Sequence, residues 1–360
     1  YAGTETGMYI SHDDGASWNP FQLNLPIVPI TDLTLKENSL IVATQGRSIW
    51  ILDDLTVLHQ IDQSTASQPM TLFQPKDSYR TQGRGGKPSL TQGTNLPNGV
   101  IVHFNVKEFD SENDTVALHF KEQDGTLIKT FSTADEENKL EINAGGNSFV
   151  WDTRYEGAET LEGMIFWSAS FSGAKAVPGS YKVVLEKNGA TQEYDFNILP
   201  DHSADITVAQ MKSQFDFVNR VNTTVDEAHK AIKNIRTIRE KLEDFESNYA
   251  DNESVSELIE DAKTLSTSLS DIEKALYQTK NRSNQDPLNF PIRLTNKLGH
   301  LNRLVTNNDF PPTDQDEAVR KEMTTLVEGH LAEYNKLISE DLERFNEAFA
   351  KLNLDYLTLN

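Results

Sequence analysis

Apolar side chains recur every three or four residues over the C-terminal part of the chain, residues 201–360. The clearest run holds Val255, Leu258, Ala262, Leu265, Leu269, Ile272 and Leu276. This spacing places the apolar positions on one face of an α-helix. Breaks at 248–253, 283–289 and 307–313 separate four such runs, and short connections join antiparallel neighbours. The pattern therefore predicts an antiparallel α-helical bundle over 201–360.

Between residues 99 and 200 the chain instead consists of short runs of strand-forming residues separated by turn signals, which predicts an all-β region. The runs at 115–120 and 179–185 contain the β-branched and aromatic residues that favour strands. Asn188-Gly189 is a turn sequence that joins two antiparallel strands. About seven strands in ~100 residues predict an immunoglobulin-like β-sandwich over 99–200.

Residues 59–98 follow neither period. They hold four prolines together with many Gln, Ser and Thr residues, a composition typical of a connecting segment. A glycine-rich run at 83–87 lacks the spacing of a phosphate-binding loop. We therefore expect a linker over 59–98.

The first 58 residues contain a repeat with an offset of 40 residues. The matching positions are Thr4 with Thr44, Tyr9-Ile10 with Ile49-Trp50, and Asp13-Asp14 with Asp53-Asp54. Each copy reads as a strand, a glycine-bearing turn and a second strand. A period near 40 residues with several strands per unit is typical of a β-propeller blade. The sequence predicts an incomplete β-propeller over 1–58, with the other blades upstream or in another chain.

The stretch SHDDGASW in the first copy fits the Asp-box pattern S-x-D-x-G-x-[ST]-W. Its members are Ser11, Asp13, Gly15, Ser17 and Trp18. Gly15 is expected to take a positive φ in a hairpin turn, and the Asp13 carboxylate is expected to accept hydrogen bonds from that turn. Trp18 is expected to pack between neighbouring blades. The Asp-box therefore indicates a fold rather than a chemistry.

The second copy lacks the Asp-box but carries charged residues that are candidates for a binding site. Arg47 is predicted in the turn of the closing blade, and Asp53 and Asp54 follow its last strand. In one interpretation, these three charged side chains point into the central channel or end of the propeller, where propellers bind ligands. In the other interpretation, they form salt bridges that fix the closing blade to the linker. The sequence favours the second without excluding the first.

Charge and composition narrow the classes of function. The chain has 33 Lys and Arg residues against 55 Asp and Glu residues, a formal net charge of −22. Nucleic acid and anionic membranes require a basic surface, so neither is expected as a partner. No apolar run reaches about 18 residues, so no membrane span is expected. The chain has no cysteine, which excludes thiolate chemistry, and we expect no cofactor, no metal site and no catalytic residue within it.

Taken together, these motifs resemble the C-terminal part of bacterial sortilin-like proteins with BNR/Asp-box repeats, a family often labelled glycosyl hydrolase. The resemblance covers almost the whole chain and rests on YAGTETGMYISHDDGASW, GRSIWILDD, NSFVWDTRY, PGSYKVVL and DPLNFPIRLTNKL. It implies a secreted, periplasmic or cell-surface bacterial protein with a large propeller upstream. The catalytic set of a sialidase-type propeller comes from several blades, so the resemblance assigns no catalytic residue to this chain.

Three functions are compatible with the sequence. In the first, the chain is a non-catalytic binding or scaffold portion that engages a protein or a glycan. In the second, it belongs to a glycoside hydrolase whose active site lies in other blades. In the third, it is part of an extracytoplasmic assembly or secretion complex and docks through the acidic bundle. We expect the first function and leave open whether the full-length protein is an enzyme.

Overall fold

A computed structural model describes residues 1–62, 65–81, 93, 95–203 and 205–352. The chain divides into two compact units. The β-sheets belong to the first unit, which holds Tyr1–Asp152 and Pro178–Asp201. The second unit holds Thr153–Val177 and the helical region that begins at His202. The glycine-rich run at 83–87 lies outside the described residues.

Two antiparallel three-stranded sheets occupy the N-terminal part of the first unit. The first sheet consists of β1 (Ala2–Thr4), β2 (Gly7–Ile10) and β3 (Asn19–Pro20), in that order. The second sheet consists of β4 (Ile30–Lys36), β5 (Ser39–Thr44) and β6 (Ile49–Leu52), in that order. The strand–turn–strand unit predicted for each repeat copy is confirmed, as β1–β2 and as β5–β6. A short helix, α1 (Thr56–Gln60), follows β6.

These two sheets share a small apolar core. Its fully buried members, none more than 3% exposed, are Met8, Leu40, Val42 and Leu55. Gly3 of β1 approaches Ile30 of β4 so closely that a Cβ on Gly3 would lie 2.5 Å from the Ile30 Cγ2 atom. Glycine is therefore required where the first sheet meets the second.

The rest of the first unit consists of a three-stranded and a five-stranded sheet. Their strands are β7 (Met70–Leu72), β8 (Ser78–Arg80), β9 (Val100–Val106), β10 (Val116–Glu122), β11 (Leu127–Ser132), β12 (Gly145–Trp151), β13 (Gly179–Lys187) and β14 (Ala190–Pro200). The strand order is β12-β9-β7 in the smaller sheet and β11-β10-β13-β14-β8 in the larger one. Neighbouring strands are antiparallel except β14 and β8, which are parallel.

The structure corrects the linker predicted over 59–98. Strands β7 and β8 lie inside that range, where Thr71 pairs with Asn105 of β9 and Tyr79 pairs with Leu199 of β14. The sequence missed them because a strand of three residues is too short to show an alternating pattern. Part of the predicted linker therefore belongs to the sheets.

An aromatic core joins the two larger sheets. Trp151 of β12 is fully buried and stacks on Phe120 of β10, with ring centroids 4.5 Å apart. Tyr181 of β13 and Phe196 of β14 approach the Trp151 ring edge-on. The core also takes every second side chain of β9, namely Val100, Val102, Phe104 and Val106. The strand predicted at 99–104 is confirmed as β9.

The helical region predicted for the C-terminal part is confirmed. Its helices are α2 (Val208–Asn248), α3 (Ser256–Leu276), α4 (Leu294–Val305), α5 (Asp314–Lys336) and, after a π-helical segment at Leu337–Leu342, α6 (Glu343–Lys351). The predicted breaks fall between α2 and α3, α3 and α4, and α4 and α5. Thr207 and Thr313 begin α2 and α5 with capping boxes, which satisfy N–H groups at the helix starts.

Helix α2 contacts α3, α4 and α5. The predicted apolar stripe from Val255 to Leu276 is buried, and none of its members is more than 5% exposed. Within the described part of the chain, no helix combines the length and the apolar character needed to cross a lipid bilayer. The apolar stripes therefore form a protein core.

The structure also corrects the sandwich predicted over 99–200. Residues 153–177 belong to the helical unit. There the Trp167 N–H donates to Asn296 Oδ1 at 2.7 Å, and Asn296 Nδ2 donates back to the Trp167 carbonyl oxygen at 2.9 Å. These bonds join the segment to α4. The chain passes from the strands to the helical unit at Asp201–His202, but the helical unit also contains the internal segment 153–177.

Candidate functional site

The Asp-box forms the turn of the hairpin between β2 and β3. The Asp13 carboxylate accepts from the Ser17 hydroxyl at 2.6 Å, from the Ser17 N–H at 2.8 Å and from the Ser11 hydroxyl at 2.8 Å. The Ser11 Oγ in turn accepts from the Gly15 N–H at 2.7 Å, and Gly15 has a φ of 89°. The positive φ is the reason for glycine at this position.

The hydrogen bonds from Ser17 and Ser11 lower the pKa of Asp13 to about 2. Both oxygen atoms of the Asp13 carboxylate therefore accept hydrogen bonds within the turn. The Trp18 ring packs over Gly15. A Cβ atom on residue 15 would lie 3.6 Å from the Trp18 Cζ2 atom. Trp18 is 47% exposed, so the burial between blades expected for it is not found within the described chain.

The structure does not bring Arg47 together with Asp53 and Asp54. Arg47 lies in the turn between β5 and β6, where its Nη1 donates to the Gly46 carbonyl oxygen at 3.0 Å. The two aspartates follow β6 at the opposite end of that strand. A single site that combines the Arg47 guanidinium with either carboxylate is therefore not formed.

Asp53 and Asp54 instead make contacts at the end of the β5–β6 hairpin. Asp54 Oδ1 accepts from the Thr56 N–H at 2.9 Å and from Asn38 Nδ2 at 3.3 Å. Burial raises the pKa of Asp53, and the Lys76 charge opposes that rise. Lys76 Nζ also donates to the Glu37 carbonyl oxygen at 3.1 Å. These contacts attach the second sheet to the segment that precedes β8.

The β4–β5–β6 sheet carries apolar side chains on both faces. On one face, Leu40 and Val42 belong to the small apolar core. On the other face, Ile41 pairs with Ile51 and Ala43 pairs with Ile49. Ile49 is 66% exposed and Ile51 is 57% exposed. We call Ile41, Ala43, Ile49 and Ile51 the open face.

The helical unit contains a polar groove that the sequence analysis missed. Glu273 of α3 is 3% exposed and accepts from Arg236 Nε at 2.7 Å and from Arg239 Nη1 at 3.3 Å. The groove has a volume of about 570 Å³, and the residues that line it include Asn281 and Arg282. We call this the α2–α3 groove.

A signal for Glu273 exists in the sequence. Glu273 lies four residues after Leu269 and three before Leu276, so it falls on the apolar stripe of α3. A carboxylate at such a position needs a partner, because burial of an unpaired charge is costly. Arg236 and Arg239 supply that partner from α2, but no local pattern joins positions so far apart in the chain.

Two histidines that lie within strands or helices make contacts inside the fold. His229 is fully buried, its Nδ1 bonds to the Glu159 carbonyl oxygen, and burial lowers its pKa. His119 of β10 bonds to Thr130 Oγ1 at 2.9 Å. Among the described residues, no three His, Asp or Glu side chains are grouped so as to hold a metal ion.

Neither a scan against protein-family models nor a search of curated proteins finds a match to this chain.

Proposed function

We propose that this chain is the non-catalytic binding and scaffold portion of a sortilin-like propeller protein outside the bacterial cytoplasm, and that the complete protein engages a protein or a glycan. In this proposal, residues 1–58 are the last blades of a β-propeller. The two larger sheets form an immunoglobulin-like sandwich, and the helical unit follows it.

The open face carries this proposal. Blades of a propeller are arranged around a central channel and pack face to face, so an internal blade buries apolar side chains on both sides. The β4–β5–β6 sheet has that composition, with Ile49 and Ile51 exposed opposite a buried face. Supporting observations are the offset of 40 residues and the Asp-box turn. We therefore propose that a further blade of the same protein covers the open face.

The non-catalytic part of the proposal rests on geometry. Glycoside hydrolysis in most families needs two carboxyl groups about 5–10 Å apart that flank the substrate. The Asp13 oxygens are bonded within their own turn, and Asp54 holds the turn before α1. Asp54 lines a cavity of about 380 Å³ together with Asp77, but Asp77 Oδ1 accepts from the Asn197 N–H at 3.0 Å, so backbone donors hold both carboxylates in place.

The test of the open face is the binding of a hydrophobic dye to the 360-residue chain. Lysine at Ile49 or Ile51 is tolerated in the fold, because β6 is an edge strand and both side chains are exposed. We expect Ile49→Lys and Ile51→Lys to lower the dye fluorescence. Leu288→Lys is the matched control, because Leu288 is as exposed as Ile49, at 66%, but lies in the helical unit.

Equal effects of the three substitutions would contradict the assignment of the open face. The non-catalytic claim has its own assay, in which the same chain is incubated with aryl-glycosides, sialosides and a peptide library. We expect no turnover. Turnover abolished by a single substitution among residues 99–360 would overturn that claim and leave the open face untouched.

A further inference from the structure

The α2–α3 groove of the helical unit has the features of a binding site of its own. We propose that it binds a small acidic sugar, a ligand with one carboxylate and several hydroxyl groups. The groove is lined by residues of α2, α3, the 162–163 turn and the loop after α3, all within the helical unit. The inference is independent of the open face and goes beyond the proposed function.

Cationic groups collect in this groove although the chain as a whole is strongly acidic. Arg236 donates through Nε to Glu273, and within the described chain its two terminal nitrogens have no hydrogen-bond acceptor. Arg282 is exposed, and no acceptor among the described residues contacts its guanidinium. A guanidinium with free terminal nitrogens binds a carboxylate in a bidentate manner. These two arginines are therefore the proposed carboxylate-binding groups.

The buried ion pair fixes the position of one of these groups before a ligand arrives. Glu273 bonds to both Arg236 and Arg239, and the Arg236 guanidinium also lies over the Tyr277 ring at 5.7 Å. An arginine held in this way loses little conformational entropy when it binds. The Tyr277 hydroxyl is itself held, because it accepts from the Ile165 N–H at 2.8 Å.

Asn281 provides the argument for a hydroxylated ligand. Its side chain is 7% exposed and lines the groove, and its Nδ2 donates to the Ile165 carbonyl oxygen at 3.3 Å. Its Oδ1 is buried and accepts no hydrogen bond from the described residues. A buried acceptor without a donor is unfavourable. Asn281 Oδ1 gains a donor when the side chain turns toward the groove and a ligand hydroxyl bonds to it.

Charge and size select the kind of anion. Four cationic side chains line the groove, Arg236, Arg239, Lys274 and Arg282, against the two carboxylates of Glu162 and Glu273, so the lining has a net charge of +2. Outside the lining, Asp271 pairs with Lys274 at 3.0 Å and Glu243 pairs with Arg239 at 3.6 Å, which leaves Arg236 and Arg282 for the ligand. A single carboxylate suits this balance better than a polyanion, which would be repelled by both glutamates. The volume of 570 Å³ lies in the usual range of small-molecule sites, about 300–1,000 Å³.

The test is a calorimetric titration of the 360-residue chain with sodium glucuronate, glucose and inorganic phosphate in separate arms. We expect glucuronate to bind at least about tenfold more tightly than either glucose or phosphate, a difference of ~1.4 kcal/mol. Arg282→Gln should weaken glucuronate binding at least about fivefold, because one arm of the carboxylate contact is lost. Circular dichroism checks that this exposed substitution leaves the fold intact.

Arg293→Gln is the matched control, since Arg293 is also an exposed loop arginine of the helical unit but does not line the groove. It should leave glucuronate binding unchanged. The inference is overturned if glucuronate does not bind, if phosphate binds as tightly, or if the two variants weaken binding equally. In those cases the Glu273 cluster only joins α2 to α3.

Discussion

The β4–β5–β6 sheet and the β12–β9–β7 sheet lie in the same unit but differ in the side chains on their outer faces. In β9, Val102 and Phe104 are buried, while the side chain between them is the polar His103. In β6, Trp50 points to the buried side, while Ile49 and Ile51 are apolar and exposed. A strand with one solvent face alternates, whereas a strand buried on both faces is a continuous apolar run. This difference indicates that β6 has the sequence of a strand with two buried faces.

The largest expected effect compares the two tryptophans. Trp151 is fully buried in the aromatic core, so Trp151→Ala should lower the free energy of unfolding by about 3–5 kcal/mol. Trp18 is 47% exposed, so Trp18→Ala should cost less than about 1 kcal/mol in this chain. Urea denaturation followed by circular dichroism measures both. Equal losses would mean that the two regions are packed alike.

A smaller contrast is expected between two β-branched positions. Val102→Thr places a hydroxyl in the closed core, where no partner is available from its neighbours in the sheet, and should cost about 1–3 kcal/mol. Ile51→Thr changes an exposed side chain on an edge strand and should stay within about 0.5 kcal/mol. The same denaturation curves provide the measurement. A costly Ile51→Thr would show that the open face is already covered in this chain.

The smallest expected effect is a difference in pH dependence. Burial lowers the pKa of His103 below its usual value of 6.5, so its contribution to stability is complete above that value and falls as the pH drops below it. The pKa of Asp13 is lowered from 3.8 to about 2, so the turn is fully stable above pH 3.8 and loses that stability as the pH falls through about 2. Acid should therefore weaken the larger sheets before it affects the Asp-box turn.

Two-dimensional NMR of the histidine and aspartate side chains between pH 7 and pH 2 tests this order. His103→Gln should flatten the pH dependence of unfolding below about pH 6.5, because the titrating group is gone. Asp13→Asn serves as the comparison, since it should leave that range unchanged. A turn that opens above pH 4 would contradict the assigned hydrogen bonds of Asp13.

The sequence predicted the elements whose patterns are local. The stripe from Val255 to Leu276 and the strand β9 are each set by neighbouring residues, so both could be recognised. The Asp-box turn was predicted down to the role of Gly15, because its hydrogen bonds join residues within a few positions of one another.

The features that were missed depend on partners distant in the chain. Strand β8 exists because β14, more than a hundred residues later, pairs with it. The α2–α3 groove likewise needs Arg236 and Glu273 to meet across two helices. The burial expected for Trp18 required a neighbouring blade that the described chain does not provide. Local spacing carries no information about such contacts.

The most direct test of the account is the reactivity of a cysteine placed on the open face. The chain has no cysteine of its own, so Ile51→Cys introduces a single thiol. A thiol reacts according to its exposure and thiolate fraction. Lys241→Cys, at an exposed position of α2, is the control for the reagent and for the rest of the protein.

The thiol reagent is applied to the 360-residue chain and to a longer chain that adds the upstream blades required by the proposed function. The account predicts that the Ile51→Cys thiol reacts readily in the 360-residue chain and at least about tenfold more slowly in the longer protein, because a neighbouring blade covers it. The control thiol should react equally in both. An Ile51→Cys thiol that reacts at the same rate in both proteins would contradict the claim that the open face is a blade interface.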